Sequence, residues 1–243
     1  MQRLYITVIF IVLLISSCKS ISIEEGEPQI LIKSSQLIVV ETPNWSSKFG
    51  TLKRYNRVDG KWQRVGEVVN VIIGRNGLGW GVGLHTTPKD AKYIKKEGDG
   101  RSPAGVFSLK SGFGYEDLNI TYPYKIYNTK NYHCVDDSNS IYYNKIVDST
   151  KIKRDYKSFE YMKLNSIEYK YGIVVNHNPD AKPYGGSCIF IHIKKDNSGT
   201  SGCSAMGEDK ILEILKWLKR DKNPLLIQLP KVEMEKRFKF LTN

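Results

Sequence analysis

Alternation of apolar and polar positions, the pattern of strands, dominates the chain after residue 33. Residues 36–40 (QLIVV) are an apolar, β-branched run, and TLKRYNRV-DG-KWQRVGEV sets Asp59 and Gly60 between two alternating segments. An Asp-Gly pair in that position predicts a two-residue hairpin. Next comes VVNVIIGRNGLGWGVG, an apolar strand running into glycines; it lacks the Lys-Ser or Lys-Thr and the following helix of a phosphate cradle, so a bend or bulge is expected. Residues 98–109 (GDGRSPAGVFSL) read as a Gly/Pro loop feeding a strand, and residues 112–170, rich in Tyr, Asn, Asp and Ser, as short irregular elements. Further on, YGIVVNH and CIFIHI predict strands. Residues 210–220 predict a helix, with Ile211, Ile214, Leu215 and Leu218 at helical spacing, Glu208 and Asp209 near its start and Lys219 and Arg220 at its end. Asn223-Pro224 marks its stop, residues 225–229 a closing strand, and the tail from Lys231 a basic, peripheral segment.

The amino-terminal pattern differs. MQRLYITVIFIVLLISSCKS has a short start carrying Arg3, an apolar run and a small-residue close, which is the form of an export signal. The apolar run, residues 4–15, is about 12 residues against the ~20 needed to span a bilayer. Ile15-Ser16-Ser17-Cys18 resembles a bacterial lipobox, in which the cysteine becomes the lipid-modified first residue; the alternative is an ordinary signal peptide with a chance cysteine. The expected division is a signal peptide over residues 1–17 and a tether over 18–33, followed by a domain over 34–230 and a basic tail over 231–243. The mature protein is then expected in the cell envelope, held to a membrane at Cys18. Lys19 is not the Asp that retains lipoproteins at an inner membrane, which favours the periplasmic side of an outer membrane where two membranes exist.

Charge and cysteine count narrow the class. The chain has a formal net charge of +12, and loss of Arg3 with residues 1–17 leaves +11 (12 − 1). A basic exported protein suits an anionic surrounding such as a membrane surface or an envelope polymer. Fifteen tyrosines would also suit nucleic acid, but export argues against that partner. About 225 mature residues suffice for one domain with a sizeable core or two small ones. Of the four cysteines, setting Cys18 aside leaves Cys134, Cys188 and Cys203, an odd number, so at least one thiol stays unpaired within a monomer. Cys188, in an apolar run, reads as a small core residue, and a Cys134–Cys188 disulfide is allowed.

The remaining chemistry converges on IHIKKDNSGTSGCSAM, residues 191–206. In an extended strand over 188–193, Cys188, Phe190 and His192 share one face. Ten residues separate His192 from Cys203, enough for a polar loop to return beside the strand. Cys203 lies among small residues, unlike a structural thiol, and an imidazole within reach can take its proton and return it to a leaving group. Gly202 lets the backbone approach a substrate, and the Gly202 and Cys203 amides are candidates to face an oxyanion. A metal is the rival reading. Cys188 and His192 lie ~13 Å apart along a strand and there is no HExxH or CxxC pair, so a site from His177, His192 and Cys203 is the remaining metal alternative.

These residues resemble the L,D-transpeptidase (YkuD-type) family of bacterial cell-wall enzymes. His192 matches the first histidine of the family signature, Thr200 its Ser/Thr, Gly202 its glycine and Cys203 its nucleophile. A divergent branch is resembled more closely by EGDGRSPAGVFSL (97–109), CVDDSNSIYYNKIVD (134–148) and GSCIFIH followed by TSGCSA (186–205). Ser201 stands where the main branch has a second histidine, and Ala205 where it has Asn or Arg. The resemblance implies a mostly β fold, a sandwich or partly closed barrel with a few helices. It also implies acyl transfer on peptidoglycan stem peptides through a Cys203 thioester, with His192 as base and acid and no cofactor or metal. Thr200, Ser201, Arg101 and His177 are candidate substrate contacts, Arg101 as a carboxylate binder and His177 as one that touches substrate or orients His192. Two alternatives remain: an L,D-carboxypeptidase that gives the same thioester to water, and a non-catalytic envelope-binding lipoprotein. A primed Cys203 is expected to alkylate faster than Cys134 and Cys188 below neutral pH, an advantage that His192→Ala removes.

Overall fold

The computed structural model describes residues 27–241, so the signal segment and the lipidation reading at Cys18 lie outside the described residues. In chain order the strands are β1 (Gln36–Thr42), β2 (Phe49–Val58), β3 (Lys61–Ile72), β4 (Leu78–Trp80), β5 (Ser102–Gly114), β6 (Tyr124–Ile126), β7 (Tyr132–Val135), β8 (Ile146–Asp148), β9 (Phe159–Tyr161), β10 (Tyr171–Val175), β11 (Phe190–Ile193), β12 (Ser204–Met206) and β13 (Leu225–Pro230). Helix α1 (Glu208–Trp217) lies between β12 and β13, and α2 (Lys231–Arg237) follows β13.

Eight strands close on themselves in the order β10-β11-β12-β3-β2-β1-β13-β5, with β5 pairing back to β10. The fold is thus mostly β, and the barrel is closed, leaving no open edge along that path. The hairpin between β2 and β3 turns at Asp59 (φ 48°) and Gly60 (φ 82°), both left-handed, which matches the twist of the strands it joins. Every residue of β13 is buried, and it runs parallel to β1, whose first five residues are also buried. Continuous apolar runs belong in such two-sided burial, where alternation would set polar groups against a covered face.

A second sheet, β8-β7-β9, packs against the barrel. Between the two lies a separate apolar cluster of Phe113, Tyr127, Cys134, Met162, Tyr169, Cys188, Phe190 and Cys203. A disulfide joins Cys134 of β7 to Cys188, so Cys188 is a bridge across this junction as well as a buried residue. Cys188 has φ 53° and precedes β11, so it does not share the alternating face of Phe190 and His192 that an extended 188–193 would give.

Three boundaries differ from the sequence reading. The helix is three residues shorter at its end, because the Gln36 side chain takes over the terminal groups: its Nε2 donates to the Trp217 carbonyl at 2.9 Å and its Oε1 accepts the Lys219 N–H at 2.8 Å. Leu218 then turns extended, and Asn223 closes a later short turn. The segment after residue 230 is not peripheral, since Met234, Phe238 and Leu241 are buried in the main core. The stretch before residue 34 is part of the domain from Glu27 onward. Glu27 forms a buried ion pair with Arg57 and accepts the Trp62 indole N–H at 3.1 Å, and Leu31 is buried.

Candidate active site

Strands β11 and β12 lie side by side in parallel, with His192 opposite Ala205. That register puts Cys203 on the same face as His192, two residues back along the neighbouring strand, ~8 Å away on the diagonal between backbones. Both side chains line one cavity of about 330 Å³, together with Thr200, Ser201, Tyr169, Glu160, Glu168, Leu164 and residues of the 194–199 loop. Among the described residues Cys203 is the free cysteine, and it is 7% exposed.

The thiol rests against backbone. Its Sγ donates to the Cys188 carbonyl at 3.4 Å and accepts the Phe190 N–H at 3.3 Å. Burial pushes the thiol well above its ordinary range and the Glu160 carboxylate adds to this, while the Phe190 N–H and the Lys95 ammonium oppose it. His192 is held by a 2.8 Å contact between Nδ1 and the Ile193 carbonyl. A carbonyl only accepts, so Nδ1 carries the proton and the lone pair is on Nε2, the form a general base requires. Burial lowers the His192 pKa, with the Ile193 hydrogen bond and the Glu168 charge acting the other way. At rest the cavity therefore holds a neutral thiol and a neutral imidazole, each bonded to backbone.

The main chain at the thiol is fixed from both sides. The Cys203 carbonyl accepts from the Thr200 hydroxyl at 2.6 Å and from the Ser102 hydroxyl at 3.0 Å. Thr200 Oγ1 also accepts the Gly202 N–H at 3.1 Å, so that amide is engaged within the loop. The Cys203 N–H has no acceptor among the described residues and is the amide of the pair that remains for an oxyanion. A Cβ at Gly202 would stand 3.2 Å from the Arg101 carbonyl and 3.3 Å from Ile189 Cδ1, tight contacts that explain the glycine.

The two motifs flanking the site act as its scaffold. In the loop at 95–102, Asp99 accepts from Lys95 Nζ at 2.6 Å, from the Lys96 N–H at 2.7 Å and from the Arg101 N–H at 2.9 Å. Glu97 accepts from the Ser187 hydroxyl at 2.7 Å and from the Tyr143 hydroxyl. Asn144 clamps the chain ahead of β11, its Nδ2 donating to the His177 and Asn178 carbonyls at 2.9 and 2.8 Å and its Oδ1 accepting the Cys188 N–H at 3.0 Å. These bonds and the disulfide hold the segment whose carbonyl and amide receive the thiol.

The structure thus gathers Cys203, His192, Thr200 and Ser201 around one cavity. Ser201 is exposed and its Oγ accepts from Arg75 at 3.2 Å. Arg101 is elsewhere: its guanidinium donates to the Leu78 carbonyl at 2.8 Å and lies 4.9 Å from the Tyr93 ring centroid. His177 lines a different cavity with Asn144 and Cys188, and its Nε2 meets the Gly185 carbonyl at 3.0 Å. Burial lowers its pKa to about 4. Among the described residues no group of three His, Cys, Asp or Glu side chains is placed to hold a metal ion. Glu160 and Tyr169 were not legible as site residues, because each reaches the cavity from a stretch without periodicity. Tyr169 donates to Glu160 Oε2 at 2.6 Å across to the second sheet, and its ring lies 5.3 Å from that of His192.

No curated protein sequence matches. Among solved structures, the helical cell shape determining protein Pgp2 from Campylobacter jejuni aligns at 14% identity with a TM-score of 0.42, over 81% of this chain and 48% of its own. The chain therefore spans about half the length of that protein. The sequence profile described as YkuD, L,D-transpeptidase catalytic domain, matches residues 53–230, from β2 through β13 and across every residue of the cavity. With that match over most of its length, the chain belongs to the YkuD L,D-transpeptidase catalytic-domain family.

Proposed function

We propose that this chain is a cysteine-dependent L,D-transpeptidase acting on peptidoglycan stem peptides. The observation that carries the reading is the free Cys203 sharing a cavity with an imidazole whose Nδ1 is anchored and whose Nε2 is left as the base. His192 takes the Sγ proton as the sulfur attacks the carbonyl between a diamino acid and a terminal D-alanine. The developing oxyanion faces the Cys203 N–H, a fixed donor in a buried setting. Collapse breaks the C–N bond, His192 returns its proton to the leaving D-alanine amine, and a thioester remains on Cys203. An amine of a second stem then takes the acyl group.

The net charge of +12 favours approach to an anionic wall polymer. The sequence further supports an envelope location with lipid attachment at Cys18, which palmitate labelling of the full chain against Cys18→Ala tests. For the reaction, the full chain is incubated with disaccharide tetrapeptide and the products are weighed. Dimers that vanish in Cys203→Ala and His192→Ala are expected. Tripeptide without dimer would instead mark a carboxypeptidase, and unchanged tetrapeptide would overturn the reading.

A further inference from the structure

Of the acids that line this cavity and that the mechanism above leaves unused, Glu160 is the one bonded to Tyr169. It sits on β9, in the second sheet, and lines the same cavity as Cys203 and His192. Its Oε2 accepts the Tyr169 hydroxyl, and among the described residues no lysine, arginine or histidine forms an ion pair with it. Burial, aided by the charges of Asp136 and Glu97 and opposed by the Tyr169 hydrogen bond, pushes its pKa up to about 7. The other charged groups around the cavity are Glu168, Lys194, Lys195 and Asp196; the last three are exposed and Glu168 is half-buried. A half-buried carboxyl that shares a cavity with a nucleophile and has no protein cation is left open to pair with a cation that arrives with the substrate.

Resting on the transpeptidase reading, we infer that Glu160 is the subsite for the acceptor's primary amino group and takes the first proton from it. The acceptor enters as an ammonium ion and pairs with the Glu160 carboxylate, which removes one proton and becomes the neutral acid. The freed nitrogen lone pair attacks the Cys203 thioester carbonyl, forming the C–N bond. A second proton passes from that nitrogen to His192 Nε2 and on to Sγ as the C–S bond breaks and its electron pair returns to sulfur. One N–H remains in the new amide, Cys203 is again a thiol, and Glu160 loses its proton to solvent. A group titrating near neutrality suits this step, because it can be ionised to bind the ammonium and still accept its proton.

The test follows the full chain with disaccharide tetrapeptide, measuring dimer formed per D-alanine released, so that each variant supplies its own denominator. Glu160→Gln, close in shape to the neutral acid, is expected to lower that ratio on the order of a hundredfold. Glu160→Asp should recover part of it. Wild-type dimer formation should show an acid limb near pH 7 that is absent from Glu160→Gln. Tyr169→Phe, which removes the donor that holds the acid's pKa down, should move that limb upward. A ratio and pH profile in Glu160→Gln equal to wild type, or an unmoved limb in Tyr169→Phe, overturns the inference alone. Wild-type D-alanine release without dimer also overturns it while leaving the thioester intact, and no release at all overturns the transpeptidase reading and the inference with it.

Discussion

At the scale of single residues, the nucleophile and its base are both neutral at rest. The sequence predicts that a Cys203 primed by His192 alkylates faster than Cys134 and Cys188 below neutral pH. Burial acts against the charged form of each residue here, raising the thiol and lowering His192. Iodoacetamide labelling of Cys203, followed by mass, is accordingly expected to climb with pH through 9 and to show no plateau near pH 5 to 6; an early plateau would reveal a pre-formed ion pair. The comparison with Cys134 and Cys188 falls away, because these two are joined as cystine. Thr200 bears on the same atom from the backbone side. Thr200→Val removes two hydrogen bonds, to the Cys203 carbonyl and from the Gly202 N–H. It should cost about 1–2 kcal/mol of stability by denaturant titration, with a larger loss in kcat than in KM because the loop that fixes the nucleophile loosens.

Among the elements, the junction of the second sheet with β11 decides whether a site exists. The disulfide closes a separation of 54 residues between β7 and the chain just ahead of β11. Opening it by Cys134→Ser should cost about 4 kcal/mol on chain-entropy grounds, read as a lower urea midpoint. The same change should slow Cys203 acylation, since the Cys188 carbonyl that receives the thiol is no longer pinned. Elements with strong local signals were legible: the Asp59-Gly60 hairpin, β1, β10 and β13 all follow from periodicity or turn chemistry. The helix end was not, because the groups that stop it belong to Gln36, 181 residues away from Trp217. The three short strands of the second sheet were equally hidden. At three or four residues each, they are too short for alternation to register and are held by pairing with one another.

For the molecule as a whole, two consequences are measurable. His177 is 2% exposed and its pKa is lowered to about 4, against about 6.5 when unfolded. A histidine depressed in this way leaves stability intact above its unfolded value and removes it as pH falls toward the folded one. Between pH 6.5 and 4 the fold should lose about 3 kcal/mol through this group, visible as a falling melting temperature that is flatter in His177→Gln. The carboxyl-terminal segment is the other case. Truncation after residue 230 removes buried Met234, Phe238 and Leu241, each worth about 1.5–3 kcal/mol of transfer free energy. It should leave a chain that melts far lower or does not fold, which circular dichroism distinguishes from the small effect of losing a peripheral tail.

The chain's own order of residues determined which atoms are available: one odd cysteine, a histidine at a strand end, small residues around the thiol, and enough β-branched runs to build a mostly β domain. These are local properties, set by spacing and side-chain type, and they carried the family resemblance with them. Tertiary structure alone decided that Cys134 and Cys188 pair, that Gly202's amide bonds to Thr200, and that Arg101 and His177 do not line the thiol's cavity. It also brought Glu160 in from the second sheet and Tyr169 from the turn before β10. The reason is that burial and closure of the barrel on a second sheet are long-range events, and a group's charge state follows what surrounds it in space, which no stretch of neighbouring residues encodes.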